Sequence, residues 1–224
     1  MPSAGALPAP ALAVFDLDGT LTLHDTLAIY AGGFLLRHPQ RLVRLVRVLG
    51  PLVRFTLGTA DQGELKASFI EATLGGRTRS ELNGWTDRFV NRLTRQGLRA
   101  DALSELARHR ERGSTLVLLS ASPDLYVPAI GRALGFAEVL CTELEWQGER
   151  LIGRLITPNR RGTEKARCLQ ELRSRYRGLP IVAYGDSGSD LEHLRLADRG
   201  VLVNGSRRVR RLAAALNISC LDWH

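Results

Sequence analysis

Cysteine is scarce in this sequence, and its distribution argues against two kinds of site. The 224 residues include three cysteines, Cys141, Cys168 and Cys220, which are far apart, odd in number and in no Cys-x-x-Cys arrangement. Such spacing favours neither a disulfide framework nor a zinc site. Because unpaired thiols suit a reducing compartment, we expect a cytoplasmic protein.

Long apolar runs and aromatic residues are also few. No apolar run approaches the roughly 20 residues that a membrane-spanning helix needs. Residues 1–10 contain Pro and Ala but no basic start, which is not how a secretory signal looks. Aromatic residues make up 6% of the chain, with no zinc-finger spacing and no aromatic run of the RNA-binding type. We therefore expect no nucleic-acid partner.

Lysine is nearly absent, although the chain is basic. Only Lys66 and Lys165 are lysines among 31 basic residues, and the formal net charge is +8. One interpretation is a coding bias that places arginine on solvated faces. The other is attraction to an acidic partner such as a phosphate or a membrane surface.

Two aspartates, Asp16 and Asp18, directly follow an apolar run over residues 11–15. The run predicts a buried strand, and Gly19 then allows the chain to turn. Ligands bind at the carboxyl ends of the strands in an open parallel sheet, so two carboxylates there indicate a site. The alternative is an ordinary strand-turn in which Asp and Gly act as turn formers.

A serine occupies the corresponding place after a second strand. Residues 115–119 predict a strand that ends at Ser120, and a helix over 124–134 follows, with Ser122 as its N-cap and Pro123 at its start. A hydroxyl between a strand end and a helix N-terminus suits a phosphate oxygen. A purely structural strand–helix junction is the alternative.

Lys165 and a second pair of aspartates complete the candidate residues. Lys165 lies in the first turn of a helix predicted over 162–176, where a cation opposes the helix dipole, so a compact charge is specifically indicated. Asp186 follows a strand over 181–184, and Asp190 begins the next helix. Carboxylates that converge on one crevice suggest Mg²⁺. A solvated lysine and a small acidic turn are the alternatives.

Strand and helix patterns alternate at βαβ spacing from residue 101 onward, which predicts an α/β fold with a doubly wound parallel sheet. Between the first two motifs the pattern is helical throughout, with four predicted helices. We expect a helical cap over 23–97, inserted into a catalytic core of residues 1–22 and 98–224.

Two details of this pattern are specific. Pro39 and Gly50-Pro51 predict the start and the stop of the second cap helix. In the second half of the chain, a strand over 138–146 is predicted to form a hairpin with a return strand over 150–156, around a turn at Gln147-Gly148.

The four motifs, taken in order, resemble those of the haloacid dehalogenase superfamily in its phosphatase branch. They are an Asp-x-Asp, a Ser, a Lys and a Gly-Asp-x-x-x-Asp, and the resemblance extends over residues 11–203. The helical insertion after the first motif is similar to the cap of subfamily IB, the phosphoserine-phosphatase-like enzymes. The resemblance implies a Rossmann-like core with an inserted all-helical cap.

Residue roles follow from the same resemblance. It implies that Asp16 is the nucleophile, that Asp18 is the general acid and base, and that Ser120 and Lys165 contact the phosphoryl group. It also implies Mg²⁺ as the cofactor. The implied ligands are Asp16, Asp18 through its carbonyl, Asp186 and Asp190, the last as support.

The expected activity is Mg²⁺-dependent hydrolysis of a phosphomonoester through an aspartyl-phosphate on Asp16. A carboxylate that attacks a phosphate dianion needs cations to offset the charge, and Asp18 can protonate the leaving alcohol and then activate water. The predicted partner is a small soluble phosphate ester, phosphoserine-like. The alternatives are a lipid phosphate, phosphatidylglycerophosphate-like, at the membrane surface, and a non-hydrolytic phospho-acceptor switch.

Substrate-binding residues are predicted at four positions. In phosphoserine-specific relatives an acidic residue after the first motif binds the substrate amine, and Asp25 takes that place. Lys66 is the nearest counterpart of the cap arginine that holds the substrate carboxylate, and Ser189 replaces an asparagine. Ala121 is assigned to the same site. These departures weaken phosphoserine as the substrate.

A basic stretch in the cap bears on the choice of substrate. Arg41, Arg44 and Arg47 fall on one side of a predicted helix, opposite Leu42, Val43 and other apolar residues. The stretch resembles the cap of bacterial phosphatidylglycerophosphate phosphatases, and peripheral contact with an anionic membrane is one interpretation. The alternative is a helix packed on its neighbours, with its arginines in water.

Overall fold

The computed structural model of the protein describes residues 10–224. The predictions that concern residues 1–9, namely the absence of a secretory signal and the start of the core, lie outside the described residues.

Within residues 10–224, eight strands form one parallel sheet and one hairpin. In chain order they are β1 (Leu12–Phe15), β2 (Thr115–Pro123), β3 (Glu138–Thr142), β4 (Leu144–Gln147), β5 (Arg150–Leu155), β6 (Ile181–Gly185), β7 (Arg199–Val203) and β8 (Ser219–Leu221). The main sheet has the order β3-β2-β1-β6-β7-β8, and all of its neighbouring strands are parallel. The antiparallel pair β4 and β5 stands apart from it.

The helices in chain order are α1 (Thr26–Arg37), a 3₁₀ helix (Pro39–Val48), α2 (Leu49–Thr56), α3 (Gln62–Leu74), α4 (Arg79–Gln96), α5 (Ala100–Glu111), α6 (Val127–Ala133), α7 (Thr163–Arg175), α8 (Leu191–Leu196) and α9 (Arg207–Ala215). Local sequence accounts for the starts of the cap helices, because Asp25 caps α1, Asp61 caps α3 and Thr78 caps α4. Among the described residues, no helix is long and apolar enough to cross a bilayer.

Apolar residues cover both faces of the main sheet. Alternate residues of β1 point to opposite sides, so Ala13 and Phe15 join one buried cluster and Leu12 and Val14 join the other. The first cluster includes residues of α5 and α6, and the second includes residues of α7, α8 and α9. Helices therefore cover both faces, and the predicted α/β fold with a doubly wound parallel sheet is confirmed.

The cap helices α1 to α4 lie within the predicted range 23–97. The two chain segments that lead into and out of this range pair with each other through an antiparallel bridge between Thr22 and Leu98. The cap also shares an apolar cluster with the core, to which it contributes Tyr30 and Trp85. The proposed boundaries at 22/23 and 97/98 remain predictions.

The predicted hairpin strand over 138–146 is wrong in its first half. Residues 138–142 form β3, which pairs with β2 in parallel, and the chain then leaves the sheet before β4 begins. Only β4 pairs with β5 as a hairpin. A free edge of β2 was available as a partner, and only long-range pairing decides which edge a strand joins.

The predicted stop at Gly50-Pro51 is also wrong, because α2 runs through it. Pro51 is the third residue of α2, where the backbone amide has no intrahelical acceptor, so the missing N–H costs little. In the core, α6 starts at Val127 with no side-chain cap, and β2 extends as far as Pro123. Ser122 is therefore not a helix cap.

The predicted basic face of this helix is only partly present in the structure. Arg41 is buried and donates a hydrogen bond from Nη2 to the Gly75 carbonyl at 2.5 Å. Val43 and Val46, expected on a packed apolar face, are 74% and 63% exposed. Arg44 and Arg47 are exposed as predicted.

Candidate active site

Asp16 lies where β1 ends, at the carboxyl edge of the sheet. Its backbone N–H still donates to the Tyr184 carbonyl of β6 at 3.0 Å, so the sheet fixes the start of the site. The following residues 17–21 form a tight turn, in which Gly19 has a φ of +78°. The Asp16 side chain is buried, and the Thr20 hydroxyl donates to its Oδ2 at 3.3 Å.

Lys165 connects two of the predicted aspartates. Its ammonium donates to Oδ1 of Asp16 and to Oδ1 of Asp190, both at 2.6 Å, and its side chain is 4% exposed. Although burial lowers the pKa of Lys165, the two carboxylates outweigh burial and raise it above its usual range. Lys165 is therefore a buried permanent cation at this position.

Three carboxylates form an acidic cluster. One oxygen each of Asp16, Asp186 and Asp190 lies within 4.8 Å of the others. Burial raises the pKa of Asp16 to about 8, against the opposing effect of Lys165, and raises that of Asp186 to about 6. For Asp190, Lys165 outweighs burial and holds the pKa below its usual range. One ammonium does not neutralise three carboxylates, so a further cation would stabilise the ionised cluster.

The surroundings of the cluster fit a divalent cation. Its donors are carboxylate oxygens, the ligands that Mg²⁺ prefers. Asp190 is oriented by Ser187, whose backbone N–H and hydroxyl donate to Asp190 Oδ2 at 3.0 and 2.6 Å. A Cβ on Gly19 would lie 2.2 Å from Asp186 Oδ2, so only glycine leaves this carboxylate in place.

Asp18 has a different environment from Asp16. The Thr26 N–H donates to its Oδ1, and the Ser122 hydroxyl donates to its Oδ2, both at 2.6 Å. Burial outweighs these hydrogen bonds and raises the pKa of Asp18. Its carboxyl group thus favours the protonated state more than a solvent-exposed aspartate does, as an acid catalyst requires.

Ser120 is fully buried, and its hydroxyl accepts a hydrogen bond from the Ser122 N–H at 3.0 Å. It is not among the residues that line the cavity beside Asp16, whereas Ala121 and Ser122 are. The predicted contact of Ser120 with a phosphoryl group remains a prediction.

A cavity of about 320 Å³ opens over the aspartates. Core and cap residues both line it, and the predicted substrate-binding residues are all among them, namely Asp25, Lys66, Ala121 and Ser189. Lys66 comes from α3, and its ammonium donates to the Ala121 carbonyl at 2.7 Å and to Asn159 Oδ1 at 2.6 Å. Burial lowers the pKa of Lys66 to about 8.

Asp25 and Ser189 also have local partners. The Asp25 carboxylate accepts from the Ala28 N–H at 2.8 Å and so caps α1. The Ser189 hydroxyl lies 2.8 Å from that of Ser187. The roles of all four lining residues in substrate binding remain predictions.

Sequence reasoning missed several residues that support the site. The partners of Asp18 and Asp190 were not predicted, and neither was Arg161, which lines the cavity. Strand alternation does not identify Ser122, because the pairing of β2 with β3 is irregular between Leu119 and Pro123. The contact between Thr26 and Asp18 depends on how the cap enters, which no local pattern shows.

Comparison with known proteins agrees with this geometry. The haloacid dehalogenase-like hydrolase family matches residues 13–195. Protein CicA of Caulobacter vibrioides is 31% identical over 194 residues, which cover 84% of each chain. Phosphoserine phosphatase SerB1 of Mycobacterium tuberculosis is 28% identical over 210 residues, which cover 91% of this chain and 68% of SerB1.

A solved structure shows the same fold. The phospho-aspartyl intermediate analogue of phosphoserine phosphatase superposes with a TM-score of 0.65 and 16% identity, over 96% of this chain and 94% of that one. The chain belongs to the haloacid dehalogenase-like hydrolase family. The predicted resemblance, down to its phosphoserine-phosphatase-like character, is confirmed, as is the prediction that the protein is an enzyme of the phosphatase branch.

Proposed function

We propose that the protein is a Mg²⁺-dependent phosphomonoesterase that forms an aspartyl-phosphate on Asp16. The observation that carries the proposal is the arrangement around Lys165, whose ammonium joins Asp16 to Asp190 beside Asp186 and beneath a small cavity. The relationship to SerB1, a phosphoserine phosphatase, supports the same reaction class.

The two aspartates of the first motif take different steps. Asp16, whose carboxylate is held by Lys165, attacks the phosphorus atom, and the bond to the leaving oxygen breaks. Asp18 protonates that oxygen and then, as a base, activates the water that hydrolyses the aspartyl-phosphate. Asp16, Asp186 and the Asp18 carbonyl, with support from Asp190, would hold Mg²⁺, which would supply charge that offsets the phosphate and the carboxylates.

The proposed substrate is a small phosphate ester. A volume of about 320 Å³ is at the low end of small-molecule sites, which span roughly 300–1,000 Å³. Lys66 and Arg161 add positive charge to the lining, which suits a substrate with an acidic group besides the phosphate. We propose a cytoplasmic location for this activity, because Cys141, Cys168 and Cys220 are free thiols and free thiols suit a reducing compartment.

Replacement of the nucleophile tests the proposal. Asp16→Asn should reduce phosphate release from p-nitrophenyl phosphate to background, and EDTA should abolish the wild-type activity until Mg²⁺ is restored. Asp87→Asn is the matched control, because Asp87 lies exposed on α4. Full activity of Asp16→Asn would overturn the proposal. A single stoichiometric phosphorylation without turnover would instead indicate the phospho-acceptor switch.

A lipid-borne phosphate monoester is the second candidate substrate. The apolar side chains that the cap exposes on the 3₁₀ helix and α2 favour it. Phosphate release from phosphoserine, compared with release from a diacylglycerol-linked phosphate monoester in vesicles, distinguishes the two.

A further inference from the structure

One segment of the cap exposes an unusual amount of apolar surface. We call it the cap apolar surface, and its residues are Leu42, Val43, Val46, Leu49, Leu52, Val53, Phe55 and Leu57. Val43 is 74% exposed and Leu57 is 72% exposed, and α2 contains no buried residue at all. A helix on a water-soluble domain normally buries its apolar stripe, so a surface of this kind indicates an interaction site.

Positive charge predominates around the cap apolar surface, although Glu64 of α3 forms an ion pair with Arg54 at its margin. Residues 26–60 contain no aspartate or glutamate, and they contain five arginines. Arg41 is buried, but Arg44 and Arg47 are exposed, and neither forms an ion pair with any residue in the described part of the chain. The partner must therefore accept apolar side chains and supply negative charge at their margin.

An anionic bilayer meets both conditions, whereas a second copy of the chain and a nucleic acid each meet only one. A second copy of the chain would bring the same arginines face to face without acidic residues from this segment to offset them. Nucleic acid would supply charge but would not bury the exposed valines and leucines. We propose that the cap apolar surface docks on a membrane that contains anionic phospholipids, with its side chains among the acyl chains and Arg44 and Arg47 at the headgroups.

Docking would hold one wall of the cavity close to the membrane. The 3₁₀ helix and α2 pack against α3, and α3 contributes Gln62 and Lys66 to the cavity lining. Gln62 follows Leu57 by five residues, so at most about 18 Å of chain separates the surface from the cavity. The inference goes beyond the proposed hydrolysis and does not depend on which ester is the substrate.

Vesicle co-sedimentation tests the docking. Wild-type protein should bind vesicles of phosphatidylcholine with phosphatidylglycerol at low salt, bind less as salt rises, and bind pure phosphatidylcholine much more weakly. Arg44→Gln combined with Arg47→Gln should weaken partition about thirtyfold, since each arginine near the surface is worth roughly fivefold. Arg207→Gln with Arg208→Gln on α9 is the charge-matched control and should change it little.

The contribution of the apolar side chains to membrane binding is tested by comparing variants of the cap apolar surface with a variant of α9. Val43→Ser with Val53→Ser should weaken binding about tenfold or more, whereas Leu212→Ser, which alters a side chain 50% exposed on α9, should not. All these side chains are exposed, so the variants should retain the wild-type melting temperature, and this is checked first.

Three results would overturn the inference. They are no wild-type binding to anionic vesicles at low salt, equal losses in the cap and α9 variants, and a concentration-dependent dimer that the Val43→Ser, Val53→Ser variant abolishes. Asp16→Asn should bind vesicles as the wild type does. Failure of docking is thereby distinguishable from failure of the proposed catalysis, which phosphate release from p-nitrophenyl phosphate reports separately.

Discussion

Asp16 and Asp18 stand two residues apart, and their different partners give them different chemistry. Asp16 faces a buried ammonium, whereas Asp18 accepts hydrogen bonds from a neutral amide and a neutral hydroxyl. A cation favours the ionised state of its neighbour far more than a neutral donor does. Burial nevertheless raises the pKa of Asp16 to about 8, so Lys165 alone does not keep the nucleophile ionised at neutral pH, and a divalent cation beside it would. Asp18, which has no cation as a hydrogen-bond partner, is suited to carry a proton.

Lys165→Arg should lower kcat by about a hundredfold, comparable to the loss of one preorganised donor in other enzymes. The ammonium of Lys165 bridges two carboxylates at 2.6 Å in a buried site, and a longer planar guanidinium cannot occupy the same point. Steady-state kinetics with p-nitrophenyl phosphate measures the change.

Arg167→Lys is the control for this substitution, because Arg167 lies exposed on the same helix α7. It should leave kcat within about twofold of the wild type. A Lys165→Arg variant as active as the control would mean that position 165 needs only a positive charge.

Individual site residues were predictable where the motif itself contains them. Asp16, Asp186 and Asp190 converge because each follows, or begins a helix after, a parallel strand, and the carboxyl ends of such strands share one edge. Lys165 reaches them from the first turn of α7, which follows the antiparallel strand β5. Ser122 was misinterpreted as a helix cap, because a Ser-Pro pair favours an N-cap but the strand continues through it.

At the scale of elements, the 3₁₀ helix has one buried side chain, Arg41, which bonds to the end of α3. Arg41 donates from Nη2 to the carbonyl of Gly75, which ends α3, while its Nε has no partner among the described residues. The buried unpaired Nε–H costs energy, but removal of the side chain would leave both a cavity and an unpaired carbonyl. The hydrogen bond and the packing should outweigh the cost.

Arg41→Ala should therefore destabilise the protein by about 1–2 kcal/mol and lower its melting temperature by roughly 2–8 °C. Thermal unfolding followed by circular dichroism measures the shift. Arg44→Ala, three residues away and exposed, should leave the melting temperature unchanged. Equal melting temperatures for the two variants would show that Arg41 contributes nothing net.

Pattern alone identified most elements but not their partners. Helices α1, α3 and α4 were predictable because each begins after a residue suited to cap it, namely Asp25, Asp61 and Thr78. The burial of Arg41 was not predictable, since periodicity shows which residues share a side and not which of them contact the rest of the cap. The parallel pairing of β3 likewise depends on β2, some 20 residues earlier.

For the whole molecule, the buried carboxyl groups of the site make the stability of the folded state depend on pH. Burial raises the pKa of Asp16 to about 8 and that of Asp186 to about 6, both above the value near 3.9 of an unfolded chain. Between the unfolded and folded pKa values the folded state binds more protons, so stability falls as pH rises. His193, whose pKa burial lowers to about 3, acts oppositely, but only up to about pH 6.5.

Between pH 7 and pH 8, two groups of the site titrate in the folded state. They are Asp16 and Lys66, whose pKa burial lowers to about 8. Ionisation of Asp16 lowers stability, whereas loss of the Lys66 proton offsets part of that fall, because the unfolded chain keeps this proton up to about pH 10. In EDTA, the melting temperature should therefore fall by about 1–3 °C over this interval. Asp16→Asn removes the titrating carboxyl and should abolish the fall. Mg²⁺ offsets the ionised cluster, so its addition should raise the wild-type melting temperature more at pH 8 than at pH 7. Parallel pH profiles for wild type and Asp16→Asn in EDTA would show that burial of Asp16 does not govern this loss of stability.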